Sequence, residues 1–141
     1  MQHCCIYCDI QMKSVRNTIA RNEIKNLIVN SAVALSQTEI QSATKGLCDR
    51  VTIYRILDRL TEEGMIHKVL NIDGVMKYAA CAQTCSGGHK HNHLHFSCQK
   101  CKSVTCLVDI EPSFKLPATY KVVEMNFTLS GFCPQCVYDR D

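Results

Sequence analysis

The chain has 141 residues, a formal net charge of +3 and 21% charged residues, which suits one ordinary domain or two small ones and is too weakly basic to argue for nucleic acid by bulk charge. Eleven cysteines would suggest disulfides in a secreted protein, but the count is odd. The first twenty residues also lack a basic flank followed by a long apolar run, so no signal peptide is expected. No 18-residue apolar stretch spans a membrane. The expectation is a cytoplasmic protein whose thiolates hold metal.

Residues 1–12 read as an N-terminal tail with His3, Cys4, Cys5 and Cys8; a stray chelating tail and a further metal motif both remain open for them. Residues 13–80 carry almost no metal-ligand chemistry. Ala20, Ile24, Leu27 and Ile28 recur at helical spacing. Ser36-Gln37-Thr38-Glu39 is a capping box opening a second helix, with Ile40 and Ala43 expected inward and Gly46 at its end. Asp49 caps a third helix whose Ile53, Ile56, Leu57 and Leu60 form an i, i+3, i+4, i+7 face before Gly64 stops it.

Two short helices around a tight turn fit a helix-turn-helix. Met65 to Leu70 and Val75 to Tyr78 then flank Asn71-Ile72-Asp73-Gly74, whose Asp-Gly pair suits a hairpin. Helices followed by a hairpin make a winged helix. The solvent face of the third helix carries Arg50, Thr52, Tyr54, Arg55 and Arg59, suited to phosphates and base edges, although a merely solvated face has the same composition.

Residues 81–92 read as a glycine-containing hinge with Cys81, Cys85, His89 and His91, and residues 93–141 as a second, β-rich unit. His95 to Ser97, Ser103 to Asp109, Lys121 to Glu124 and Phe127 to Leu129 are expected strands, and Pro112 and Pro117 restrict any helix between them. Cys98-Gln99-Lys100-Cys101 and Cys133-Pro134-Gln135-Cys136 are two Cys-x-x-Cys knuckles able to give four thiolates to one structural Zn²⁺. His93 and His95 alternate onto one face of an extended segment, as chelation of a second metal needs. A zinc enzyme is disfavoured, because neither His-x-Glu nor His-Glu-x-x-His occurs.

The chain resembles the ferric uptake regulator superfamily. The matching residues are Thr18-x-x-Arg21, Val51-Thr52-Ile53-Tyr54-Arg55-Ile56-Leu57, Glu63-Gly64-Met65-Ile66, the His-x-His-x-x-Cys-x-x-Cys run from His93 to Cys101, and Gly131-Phe132-Cys133-x-x-Cys136. The resemblance covers about residues 13 to 137. It implies an α+β protein: an N-terminal winged helix and a small C-terminal α/β dimerisation domain carrying the Cys₄ zinc. It further implies a homodimeric, metal-activated repressor on a palindromic DNA operator, with no small-molecule substrate. His67 and Cys81 resemble the extra ligands of the zinc uptake branch, so the implied regulatory site is His67, Cys81, His93 and His95, with His91 and Cys106 as alternatives. Zn²⁺ is the expected effector and Fe²⁺ the rival. An iron- or peroxide-sensing regulator and a thiol-based redox switch stay open.

Overall fold

The computed structural model describes residues 6–80, 93–123 and 125–139, with side chains from residue 18 onward. Helix α1 (Ile6–Val29) starts inside the segment read as a tail. Strand β1 (Leu35–Ser36) leads into α2 (Gln37–Thr44), followed by α3 (Arg50–Glu62), β2 (Ile66–Leu70) and β3 (Met76–Ala80). Ala20, Ile24 and Ile28 of α1 meet Ile40, the whole Ile53-Ile56-Leu57-Leu60 face, Ile66 and Tyr78 in one buried core, with Leu27 packed at its margin.

Each helix end has an identifiable cause. The Ser36 hydroxyl accepts the Glu39 amide at 3.2 Å, while the Ser36 amide donates to the Glu39 carboxylate at 2.6 Å, closing the expected capping box. Burial pushes the Glu39 carboxyl up, but the Ser36 hydrogen bonds and the buried Lys77 ammonium at 3.1 Å together hold it below its ordinary value. Asp49 accepts the Thr52 amide at 2.7 Å and starts α3. Gly64, at φ +70°, ends it. The Gly64 amide returns to the Thr61 carbonyl and the Met65 amide to the Leu60 carbonyl, a Schellman closure whose left-handed residue favours glycine.

Ala43 departs from expectation: it is exposed. The short α2 turns Gln37 and Ile40 inward, and Thr44, half-buried and donating its hydroxyl to the Ile40 carbonyl at 2.9 Å, takes the next inward place.

Strands β1, β3 and β2 form an antiparallel sheet in that order, with Leu35 opposite Tyr78 and His67 opposite Ala79. The β2–β3 turn is closed by a side chain. Asn71 Oδ1 accepts the amides of Asp73 and Val75 at 2.9 and 2.8 Å, and Gly74 adopts φ +77°.

The second sheet has the order β5-β4-β6, built from β4 (Leu94–Cys98), β5 (Val104–Leu107) and β6 (Phe127–Gly131). Strand β4 is central, antiparallel to β5 and parallel to β6. Residues 121–123 are not a strand, contrary to expectation, and Glu124 lies outside the described residues. The physical reason is that β6 pairs directly with β4, leaving this segment no neighbour; Val123 is 93% exposed. Among the described residues of 93–139 there is no helix, in keeping with Pro112 and Pro117. The two sheets touch through Ala34, Val69, Ala79 and Val104, and the Ala34 amide donates to the Val104 carbonyl at 2.8 Å. Among the described residues no helix is long and apolar enough to cross a membrane.

Candidate functional site

Two groups of ligating side chains assemble, and β4 contributes to both. At its start, His93 and His95 face the same side, with Cys106 opposite His95 in the β4–β5 register. His67 arrives from β2. The ligand atoms of His67, His93, His95 and Cys106 all lie within 4.8 Å of one another, and the three imidazoles are buried.

The geometry fits a metal. His95 Nδ1 lies 3.3 Å from the Phe127 carbonyl, which can only accept, so Nδ1 carries the proton and Nε2 presents its lone pair inward. His67 Nε2 is 3.0 Å from His95 Nε2 and 3.5 Å from Cys106 Sγ. A tetrahedral Zn²⁺ with nitrogen ligands at ~2.05 Å has edges of about 3.3 Å, and mixed nitrogen–sulfur edges are slightly longer. Those two edges are close to that spacing.

At the other end of β4, Cys98, Cys101, Cys133 and Cys136 form the second group. Cys101 Sγ and Cys133 Sγ are 3.8 Å apart, which matches the edge of about 3.8 Å that four thiolates at ~2.3 Å would define. The Cys133 amide donates to Cys98 Sγ at 3.4 Å and, with the backbone of its own knuckle, holds the Cys98 thiol down to about 6. Hydrogen bonds from Ser103 lower Cys101, whereas burial pushes Cys136 up to about 12. Because the ligands bind as thiolates, zinc uptake near neutral pH is expected to release protons, and zinc affinity to fall as pH falls. Titration in weak buffer with a pH indicator, repeated from pH 5 to 8, checks both statements.

The third helix presents its basic face as expected. Arg50, Tyr54, Arg55 and Arg59 are exposed and Thr52 is half-buried. The Arg50 guanidinium stands 5.7 Å from the Tyr54 ring centroid, within cation–π range. Arg21 of α1 joins Thr52, Arg55, Ile56 and Arg59 around a cavity of about 140 Å³ and pairs with Glu63. Its place in the Thr18-x-x-Arg21 match was the only signal for it in the sequence.

Of the regulatory ligands expected from sequence, the structure brings together His67, His93 and His95. Cys81 and His91 lie outside the described residues, as do His3, Cys4 and Cys5. Cys106, an alternative in the sequence reading, stands inside the group.

The sequence model of the Ferric uptake regulator family matches residues 12–128. The chain belongs to that family. The ferric uptake regulation protein of Bacillus subtilis (strain 168) is 26% identical over 121 residues, covering 80% of this chain and 78% of that protein. The Helicobacter pylori ferric uptake regulator, whose structure is described as having three functional metal binding sites, superposes with a TM-score of 0.58 at 19% identity, covering 96% of this chain and 94% of that one. A zinc uptake regulator complexed with zinc and DNA gives 0.57 at 21% identity, with 84% and 81% covered. A zinc-bound manganese uptake regulator gives 0.55 at 16%, with 81% and 87% covered. At these identities the structural likenesses establish the fold of the ferric uptake regulator family. Membership makes the chain a metal-responsive regulator and not an enzyme.

Proposed function

We propose that this chain is a zinc-sensing, DNA-binding transcriptional repressor that acts in the cytoplasm as a homodimer and controls zinc-uptake genes. Cys98, Cys101, Cys133 and Cys136 hold one structural Zn²⁺ per subunit, and His67, His93, His95 and Cys106 hold the regulatory one. The observation that carries this reading is the convergence of the second group from two sheets: His67 belongs to the winged helix, His95 and Cys106 to the second sheet, and His93 to the position just before it. Residues 13–80 are then the DNA-binding domain, 81–92 the hinge and 93–141 the dimerisation domain.

The donor set favours zinc. Three imidazoles and a thiol suit Zn²⁺, whereas Fe²⁺ and Mn²⁺ prefer sites with more oxygen, and no carboxylate joins this group among the described residues. The iron and manganese regulators among the structural relatives keep the rival metals in play. A second copy of the chain suits the exposed apolar side chains Leu129 and Phe132, on and just after edge strand β6, and Tyr120 and Val123 in the segment that precedes it in sequence.

Ligands drawn from both sheets restrict the freedom of each winged helix. In a two-fold dimer that fixes the separation of the two α3 helices, which must meet major-groove faces about 34 Å apart, or a multiple of this, on a palindromic operator. Metal acts by its preference for that arrangement over others. Arg50, Thr52, Tyr54, Arg55 and Arg59 then contact phosphates and bases.

The test is operator binding titrated against buffered free Zn²⁺, Fe²⁺ and Mn²⁺. His67→Ala and Cys106→Asp should each leave a folded dimer with its structural zinc but raise the free Zn²⁺ needed about tenfold or more. Cys106→Asp should also improve the response to Fe²⁺ and Mn²⁺. If both variants respond to zinc like the wild type while Fe²⁺ activates normally, the zinc reading is wrong and an iron or peroxide sensor takes its place.

A further inference from the structure

The β2–β3 hairpin occupies the position of a DNA-contacting wing, but its charges are wrong for that task. Lys68 pairs with Asp58 at 3.0 Å, and Lys77 is buried against Glu39 at 3.1 Å. The remaining charge on the hairpin is Asp73 at the tip, beside an exposed Ile72. A carboxylate at the tip repels phosphate.

The tip instead meets the second sheet, at the Cys₄ knuckle. The Ile72 amide donates to Ser97 Oγ at 3.0 Å, and Ser97 is fully buried. Lys102 Nζ reaches Asp73 Oδ1 at 3.3 Å. Ser97 immediately precedes ligand Cys98, and Lys102 immediately follows ligand Cys101, held at φ +61° where the knuckle turns back. The hairpin is thus fastened at two points on the second sheet: His67 near one end, Ile72 and Asp73 at the other.

We propose that this hairpin is a strut onto the Cys₄ knuckle and not a DNA-contacting wing. Ser97 and Lys102 are positioning residues through which the knuckle sets the winged helix against the second sheet. The inference rests on the DNA-binding reading above for its consequence, but not for the strut itself. Fastening the tip keeps His67 near His93, His95 and Cys106 before metal arrives, so less ordering is left for metal to impose. Loss of order in the knuckle loosens both tip contacts at once, which makes the structural site a second control on operator binding.

The test uses the full-length dimer loaded with structural zinc. Asp73→Lys should raise the free Zn²⁺ for half-maximal operator binding by about two- to fivefold, the range expected of a partly exposed ion pair. It should leave the salt dependence of binding unchanged. The double variant Asp73→Lys/Lys102→Asp re-forms the pair in reverse, with Asp tolerating the left-handed position, and should restore the wild-type midpoint. Ser97→Ala should speed hydrogen exchange at the Ile72 amide while amides in α3 keep their protection. Asp73→Lys binding DNA more tightly, with a salt slope steeper by about one phosphate contact, would mean that the tip touches DNA and would overturn the proposal. So would a double variant that fails to recover, or unchanged exchange at Ile72 in Ser97→Ala. The exchange measurement needs no operator. It decides the strut even where the DNA-binding reading fails because the wild-type dimer binds none.

Discussion

A Cys133→Ser protein is expected to lose one zinc per chain and, with it, the folded state of the second sheet. Three observations set the size of the effect. Cys133 is buried, its amide holds Cys98, and its sulfur lies within ligand spacing of Cys101, so the substitution disturbs the whole tetrahedron. The apolar core around it is thin. Leu94, Val104 and the ligands Cys98 and Cys133 are the buried hydrophobic residues of this sheet among those described. A structural Cys-rich zinc site contributes roughly 10–16 kcal/mol of apparent binding free energy at neutral pH, more than such a core supplies. Metal analysis should show the lost zinc, size-exclusion chromatography the lost dimer, and calorimetry an α1–α3 unit melting alone. A Cys133→Ser protein with full zinc content and wild-type size would remove the structural role assigned to the knuckles.

The second large effect concerns operator recognition. Tyr54→Ala and Arg55→Ala are each expected to weaken operator binding by roughly 1–3 kcal/mol, about tenfold to a hundredfold, and the pair to abolish it. Both side chains stand on the exposed face of α3, away from the Ile53-Ile56-Leu57-Leu60 core, so metal content and melting temperature should not move. Arg55 also lines the cavity shared with Arg21 and Arg59. If it serves a phosphate there, its loss weakens all sequences alike and flattens the salt dependence. If it reads a guanine edge, specificity relaxes at one base pair. Fluorescence anisotropy with matched and single-substituted operators at two salt concentrations distinguishes these. Unchanged binding in both variants would show that another element reads the DNA.

The parts of the fold that were legible in the sequence are those whose causes are local. A capping carboxylate at Asp49, a four-residue apolar face and a glycine stop at Gly64 define α3 locally, and each did what its chemistry requires. The hairpin turn was legible for the same reason, although its closure by the Asn71 side chain was not foreseen. What failed depended on distant partners. Residues 121–123 have a strand-like composition but no neighbour to pair with, because β6 reaches β4 by a parallel register that no local pattern announces. Ala43 lost its inward place to Thr44 through the orientation of a two-turn helix. Cys106 stood only as an alternative ligand, since its place in the group follows only from pairing with His95 and from His67 arriving across the sheet boundary. Arg21 likewise depends on α1 lying against α3.

Strand β4 carries a further implication. His93 precedes it, His95 lies within it and Cys98 ends it, so one short rod supplies both metal groups. A slip of one residue in its pairing would turn His95 away from Cys106 and, in the same motion, carry Cys98 out of line with the second knuckle. The two sites therefore share a single proofreading event. A chain mispaired here would lose the geometry of both groups together. In the metal-activated repressor proposed above, such a chain leaves the operator free, so an error of folding gives the same output as a shortage of metal.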